Sequence, residues 1–302
     1  MISKKTLVVI LNYNHYKNTK QCVESLISSN DIGNDFLIVI VDNCSKNESF
    51  EILKKYFYKK DFIKVIKTDH NGGYSYGNNF GILYAKKYYE FKYIAIVNPD
   101  VTFNSDVFDV LIPKLESNDK ISMISCGVIF QNKFNILNQS WNIPSVKQLI
   151  LQHSLLSKKL PTRFSYPVLG KTLFETELLP GSFFIIKDNV FSEVGYFDDN
   201  IFMYNEEIAL GIKIKNIGMI AALDLSVCYY HNHNCLSKRD ILLKYKYKFK
   251  NVKDEYNVTY DSRKYVCKRY YQGKGLFRLG LINFMNKIIL VFKHWVAIFL
   301  VK

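Results

Sequence analysis

Four short apolar runs, each stopped by a polar cluster, restrict this chain more than any other feature. Thr6–Leu11, Phe36–Val41, Phe62–Ile66 and Tyr93–Val97 are five or six residues long and rich in Val and Ile. Helical spacing fills the gaps between them. Residues 17–29 put Cys22, Leu26 and Ile27 on one side, and further helices are expected over about 47–58 and up to about Glu90. Runs this short and continuous read as strands buried on both faces, and their alternation with helices implies parallel βαβ units. The expected fold class is α/β, a Rossmann-like, mostly parallel sheet flanked by helices. Ligands of such sheets bind beyond the carboxyl ends of the strands. There stand Asn12-Tyr13-Asn14, Asp42-Asn43-Cys44-Ser45, the Asn71–Asn79 loop and Asn98-Pro99-Asp100. Asn12, Asp42, Asn71 and Asp100 are therefore expected on one rim.

Charge separates the chain into two parts. The net charge of +14 suggests a nucleic-acid partner until it is divided. Residues 1–237 carry 25 Lys/Arg against 23 Asp/Glu, whereas residues 238–302 carry 16 against 4. The body is nearly neutral and no recognition motif is present, so nucleic-acid binding is not expected. The six cysteines include no C-x-x-C pair, which disfavours a zinc site or disulfide framework and suits reduced cytosolic thiols. Lys4 and Lys5 precede an apolar run too short for a signal peptide, and none is expected.

The Asn71–Asn79 loop can approach phosphates closely through Gly72, Gly73 and Gly77, although it matches neither G-x-G-x-x-G nor the P-loop pattern. Asp100 at a strand end is either a turn residue or a ligand for a hard divalent cation. Residues 131–178 lack periodicity and read as a variable insertion or lid. Beyond them, Pro180-Gly181-Ser182 opens a short strand, Phe183–Ile186, and a Gly-Tyr-Phe-Asp turn follows. Glu206 and Glu207 then head a helix closing on Gly218; they complement its dipole or serve catalysis. Met219–Leu223 and Leu225–Tyr230 read as short strands that deliver His231 and His233 to a loop. Two histidines at i, i+2 suit either structure or metal.

In this order the motifs resemble the family 2 inverting glycosyltransferases of the GT-A fold, in the rhamnosyltransferase-like branch that builds bacterial surface polysaccharides. The resemblance rests on Asn12-Tyr13-Asn14, Asp42 to Ser45, Asn71-Gly72-Gly73-Tyr74 with Gly77-Asn78-Asn79, and Asn98-Pro99-Asp100. It continues through Pro180-Gly181-Ser182, Gly195-Tyr196-Phe197-Asp198 and Tyr204-Asn205-Glu206-Glu207. It implies a GT-A domain over 1–237, with residues 1–102 as the nucleotide-binding half, and transfer from a UDP- or dTDP-sugar to a glycan or lipid-linked acceptor. Asp42 is then expected at the donor base, with Asn12, Asn14, Asn71, Gly72, Gly73, Asn78 and Asn98 lining the nucleotide. Asp100, with His231 or His233, is expected to hold Mg²⁺ or Mn²⁺. Pro180, Gly181 and Ser182 would wall the acceptor side. Glu207 is the expected base and Glu206 the alternate. Two departures from the family pattern are Asn98, in place of the first acid of the metal triplet, and Ala209, in place of a later Asp; they leave a catalytically impaired sugar-nucleotide binder as the alternative.

Residues 238–302 form a basic helical extension. Wound as a helix, residues 276–301 gather Asn283, Asn286, Lys287, Lys293 and His294 in one sector of an otherwise apolar surface. That stripe suits a helix lying in a membrane interface, lysines toward anionic headgroups and Trp295 at their level, more than a spanning one. The expected location is cytoplasmic, peripheral on the inner face of the plasma membrane. Packing on the protein's own body or on a second copy is the alternative.

Overall fold

The computed structural model describes residues 2–3, 5–33, 35–151, 167–232 and 237–300. The first elements are β1 (Ile2–Ser3), β2 (Thr6–Asn12), α1 (Tyr16–Ser29), β3 (Phe36–Asp42), α2 (Ser49–Phe57), β4 (Ile63–Lys67) and α3 (Gly73–Lys86). Next come β5 (Tyr89–Glu90), β6 (Tyr93–Val97), β7 (Val101–Thr102), α4 (Phe108–Glu116), β8 (Ile121–Phe130), β9 (Lys133–Phe134) and α5 (Val146–Leu151). β10 (Leu173–Thr176), β11 (Phe183–Lys187), α6 (Asp188–Glu193), α7 (Glu206–Asn216) and β12 (Ile220–His231) follow. Three helices, α8 (Lys238–Tyr247), α9 (Phe249–Tyr270) and α10 (Leu276–Leu300), end the described chain. Two compact units result. One comprises Met1–Ile143, Arg163–Phe202 and Glu206–His233, the other Pro144–Thr162, Met203–Asn205 and Asn234–Lys302.

In the first unit a ten-stranded sheet runs β10-β12-β8-β11-β6-β2-β3-β4, with β7 on β12 and β9 on β8. The sequence-predicted strands β4, β3, β2 and β6 pair in parallel and in continuous register, Asn12 opposite Asp42 and Asp42 opposite Lys67. Beyond β6 the sheet is mixed, since β11 runs antiparallel to both β6 and β8. Alternation of side chains between two covered faces explains why β2, β3 and β6 are apolar almost throughout, whereas β4 at the sheet edge carries Lys64 and Lys67. Val8, Ile10, Ile38, Ile40, Ala95 and Val97 pack on one face with Cys22 and Leu26 of α1, Leu53 of α2 and Leu111 of α4. Leu7, Val9, Leu37, Val39, Ile94 and Ile96 pack on the other with Ile82 of α3, Phe191 of α6 and Leu210 of α7. Each fully buried side chain of this kind contributes about 1.5–3 kcal/mol of transfer free energy, which fixes the strand ends and the loops they carry.

Two expectations change. The Gly/Asn stretch is not a loop to Asn79: α3 starts at Gly73, and Gly77, Asn78 and Asn79 are buried within it. A Cβ on Gly77 would sit 2.3 Å from Leu11 Cδ1, so its missing side chain lets the helix close on β2. The two strands expected around residues 219–230 are one, β12, with an irregularity between Asp224 and Cys228.

In the second unit α10 packs on α8, α9 and α5. Part of the polar sector of α10 turns inward: Asn286 is wholly buried and donates to Tyr256 Oη at 3.2 Å, and His294 Nδ1 lies 2.7 Å from the Tyr245 carbonyl. These two polar groups bond α9 and α8, while Lys287 and Lys293 stay exposed.

Candidate active site

Parallel pairing brings the ends of β2 and β3 together and side chains lock them. Asn12 donates to Asp42 Oδ2 (2.8 Å), and the Ser45 amide donates to Asp42 Oδ1 (2.8 Å). Asn14, at φ 62°, binds the same loop: its amide donates to Ser45 Oγ and its Oδ1 accepts from the Lys46 amide, both at 2.8 Å. Asn43 extends the network, donating to Asn71 Oδ1 (2.9 Å) and to the Gly73 carbonyl (3.0 Å), while accepting from Thr68 Oγ1 (3.2 Å). Hydrogen bonds therefore link the loops that carry Asn12, Asp42 and Asn71. Asn12 and Asp42 have no exposed surface and form the floor of this rim; Asn14, Asn71 and Gly72 remain partly exposed. Asn78 lies below, wholly buried, donating to the Tyr74 carbonyl (2.9 Å) with its Oδ1 unpartnered.

Gly73, at φ +88°, joins this rim to the residues before α7. A Cβ there would sit 2.0 Å from the Phe202 carbonyl oxygen, which accepts instead from the Tyr74 amide at 2.7 Å. Tyr74 then reaches across the sheet and donates from its hydroxyl to the Gly181 carbonyl at 2.5 Å. Pro180, Gly181 and Ser182 are buried, and a Cβ on Gly181 would lie 2.8 Å from Glu207 Oε1. On the other side, the Ser182 carbonyl accepts the Asn98 amide at 2.8 Å, because β11 begins where the antiparallel β6 ends. Ser182 Oγ pairs with the buried Tyr229 hydroxyl at 2.7 Å. Tyr74, Asn43, Thr68 and Tyr229 carry these links; Tyr74 and Asn43 stand in the sequence motifs, though without this role, whereas Thr68 and Tyr229 stand in none.

Asp100 follows β6, and His231 ends β12, which pairs with β7 at His231–Val101. The two meet with His231 Nε2 3.3 Å from Asp100 Oδ1, both partly exposed. Two donors of one cation, each about 2.1 Å away and at right angles, stand roughly 3 Å apart, so this O,N pair fits a divalent ion that completes its shell with other oxygens. Among the described residues no cluster of three or more His, Cys, Asp or Glu forms a fuller cage. His233 lies outside the described residues.

Glu206 and Glu207 open α7 after Tyr204 and Asn205, both left-handed at φ 70° and 67°. Glu206 is buried and its Oε2 has no hydrogen-bond partner. Burial, then the neighbouring charge of Glu207, pushes its carboxyl well above the usual range. Glu207 keeps some exposed surface. Burial raises its pKa too, opposed by backbone hydrogen bonding at its own amide and at Gly181. One carboxyl is thus held toward the neutral form while its neighbour is better able to carry charge.

The profile of Glycosyl transferase family 2 matches residues 7–195, well over half the chain. The chain belongs to this family. Its sequence is 25% identical over 221 residues to the low-salt glycan biosynthesis hexosyltransferase Agl10 of Haloferax volcanii, covering 72% of this chain and 65% of that one. Against the curated relative it therefore spans just under two thirds of the length. The fold is similar to that of GalNAc-T7 solved with UDP, GalNAc and Mn²⁺, with TM-score 0.61, 18% identity and coverage of 76% of this chain and 44% of that one. It is also similar to the Pyrobaculum calidifontis mannosyltransferase PcManGT in complex with GDP-Man and Mn²⁺, with TM-score 0.57, 10% identity and coverage of 98% and 74%. The architecture is GT-A.

Proposed function

We propose that this family 2 chain transfers a hexosyl or rhamnosyl unit from a UDP- or dTDP-sugar to a hydroxyl of a glycan or lipid-linked acceptor, with inversion. The reading places it in cell-surface polysaccharide synthesis of the capsule or O-antigen type, acting from the cytoplasmic side of the membrane. One observation carries it: the Glu207 carboxyl stands against Gly181, and the next residue, Ser182, is bonded to the loop that holds Asp100. A base and a diphosphate-side acid are thereby tied to one short turn.

In this mechanism the rim from Asn12 to Gly73 receives the pyrimidine and ribose over its bonded floor. Asp100 and His231 would hold a divalent cation, which would supply Lewis-acid neutralisation of the leaving diphosphate. Glu207 takes the proton of the acceptor hydroxyl as that oxygen attacks C1, an assistance of roughly 10²–10⁴-fold. Glu206 stays protonated beneath it, which removes a repelling charge from the base. A single displacement, in which the acceptor oxygen bonds C1 as the nucleoside diphosphate leaves, inverts the anomeric centre.

Thermal unfolding with a panel of UDP-, dTDP- and GDP-sugars, with and without Mn²⁺, tests the reading. A ligand present at 100 times its Kd stabilises by about 2.7 kcal/mol, so the cognate donor is expected to raise Tm clearly, and more with Mn²⁺. Asp100→Asn should remove the Mn²⁺ increment and leave the metal-free response. No shift with any donor would sink the proposal.

A further inference from the structure

α10 is built inside out. Phe277, Leu281, Phe284, Ile288, Phe292 and Trp295 are exposed, Phe277 by 79% and Phe292 by 66%. At 100° per residue they share a sector of about 80° along a helix about 37 Å long. Arg278 flanks this stripe on one side and Lys287 on the other, with Lys293 further round toward the packed face, and all three are exposed. The opposite face is fixed to the protein: Leu279, Asn286, Leu290 and Ala297 are buried, and the imidazole of His294 stacks on Phe249 at 4.2 Å. Rolling the helix to hide its apolar face would strip Asn286 and His294 of their partners.

A cavity of about 460 Å³ opens at the same end of the unit as Phe277. Lys147 and Arg278 stand in its wall with Val146, Ile150 and Leu276, and among the described residues no acid lines it. Apolar surface and positive charge therefore continue from the stripe into the cavity.

We propose that this face of α10 is a docking surface for an anionic lipid bilayer, with the helix lying in the plane of the interface. Charge selects this occupant. Residues 276–300 hold three Lys/Arg and no Asp or Glu, so pairing with a second copy would set like charges against one another. Nucleic acid would satisfy the cations and leave the aromatic stripe in water. An anionic bilayer meets both: the stripe enters the acyl boundary and the flanking cations reach headgroups. A spanning arrangement is disfavoured because α9, which packs along α10, carries Lys, Arg, Asp and Glu throughout its length. The proposal is independent of the reaction chemistry and adds a surface to the membrane location given above.

The test uses the full chain in flotation with vesicles of phosphatidylcholine alone and mixed with phosphatidylglycerol. Binding is expected to the mixed vesicles and to weaken with salt. Replacing Arg278, Lys287 and Lys293 by Gln should weaken it roughly a hundredfold. Phe284→Glu with Phe292→Glu, at exposed positions, should abolish it while leaving the unfolding transition and donor turnover without vesicles unchanged. In a Trp141→Phe background, Trp295 emission should shift blue and be quenched by brominated lipid. Vesicle-indifferent wild type, a stripe variant that floats like wild type, or a wild-type dimer that the stripe variant converts to monomer without lipid binding would each overturn the proposal. Loss of turnover in wild type and variants alike would count against the active-site reading and leave the surface standing.

Discussion

Two polar regions of the first unit handle burial in opposite ways. At the ends of β2 and β3, Asn12, Asp42, Asn43 and Ser45 are all buried, and each makes hydrogen bonds with another or with a neighbouring loop. At the head of α7, Glu206 is buried as deeply, yet one of its oxygens has no partner. A saturated network gains rigidity and gives up reactivity, because every donor and acceptor is already used. An unsaturated carboxyl pair holds protons weakly or strongly according to its neighbours, which is what proton transfer needs. On the proposed reading, the difference divides the site into a frame and a reactive centre.

Glu207→Gln should give the largest effect. If the reactive centre is Glu207, transfer should fall by about 10²–10⁴-fold in kcat, with the donor's Kd changed little. Glu206→Gln should cost far less. Equal losses in both variants, measured as initial rates of sugar transfer, would break the division of roles.

The frame should respond in stability. Asp42→Ala leaves the Asn12 amide and the Ser45 N–H without their acceptor in a buried site. Each buried orphan costs about 1–3 kcal/mol, so urea unfolding should show a total loss of about 3 kcal/mol. Asp42→Asn should recover part of it by restoring one acceptor. If stability is unchanged while donor affinity collapses, Asp42 belongs to the ligand and the frame reading fails there.

How much of this was legible in the sequence follows from the range of the interactions. β2, β3 and β6 were readable because strands covered on both faces are apolar at every position. The meeting of the loops of Asn12, Asp42 and Asn71 followed from parallel topology. The helical state of Gly77 to Asn79 was not readable: glycine and asparagine favour turns locally, and contact with Leu11 on the neighbouring strand overrides that preference. Tyr74 at the Gly181 carbonyl spans 107 residues, and nothing local marks it. The inward face of α10 was hidden for a related reason. A polar stripe on an apolar helix has two possible partners, water or protein, and the hydroxyl of Tyr256 and the carbonyl of Tyr245 decide between them for Asn286 and His294.

The smallest expected effect is the most discriminating. Glu206 has a pKa raised well above that of an unfolded carboxyl. Below the ordinary carboxyl pKa both folded and unfolded states bind the proton, and its burial carries no pH-dependent penalty. As pH rises, the unfolded state ionises first, so stability falls until the raised folded pKa is reached. Glu206→Gln removes that fall. Its Tm should match wild type in acid and exceed it by a few degrees in mild alkali, since about 1 kcal/mol moves a domain of this size by about 2–4 °C. The same variant reports on Glu207. A protonated Glu206 exerts no charge on its neighbour, so the acid limb of kcat/KM should stay where it is in wild type. A limb displaced to lower pH would mean that Glu206 carried a charge beside Glu207 in the wild type, and the neutral role given to Glu206 would fail.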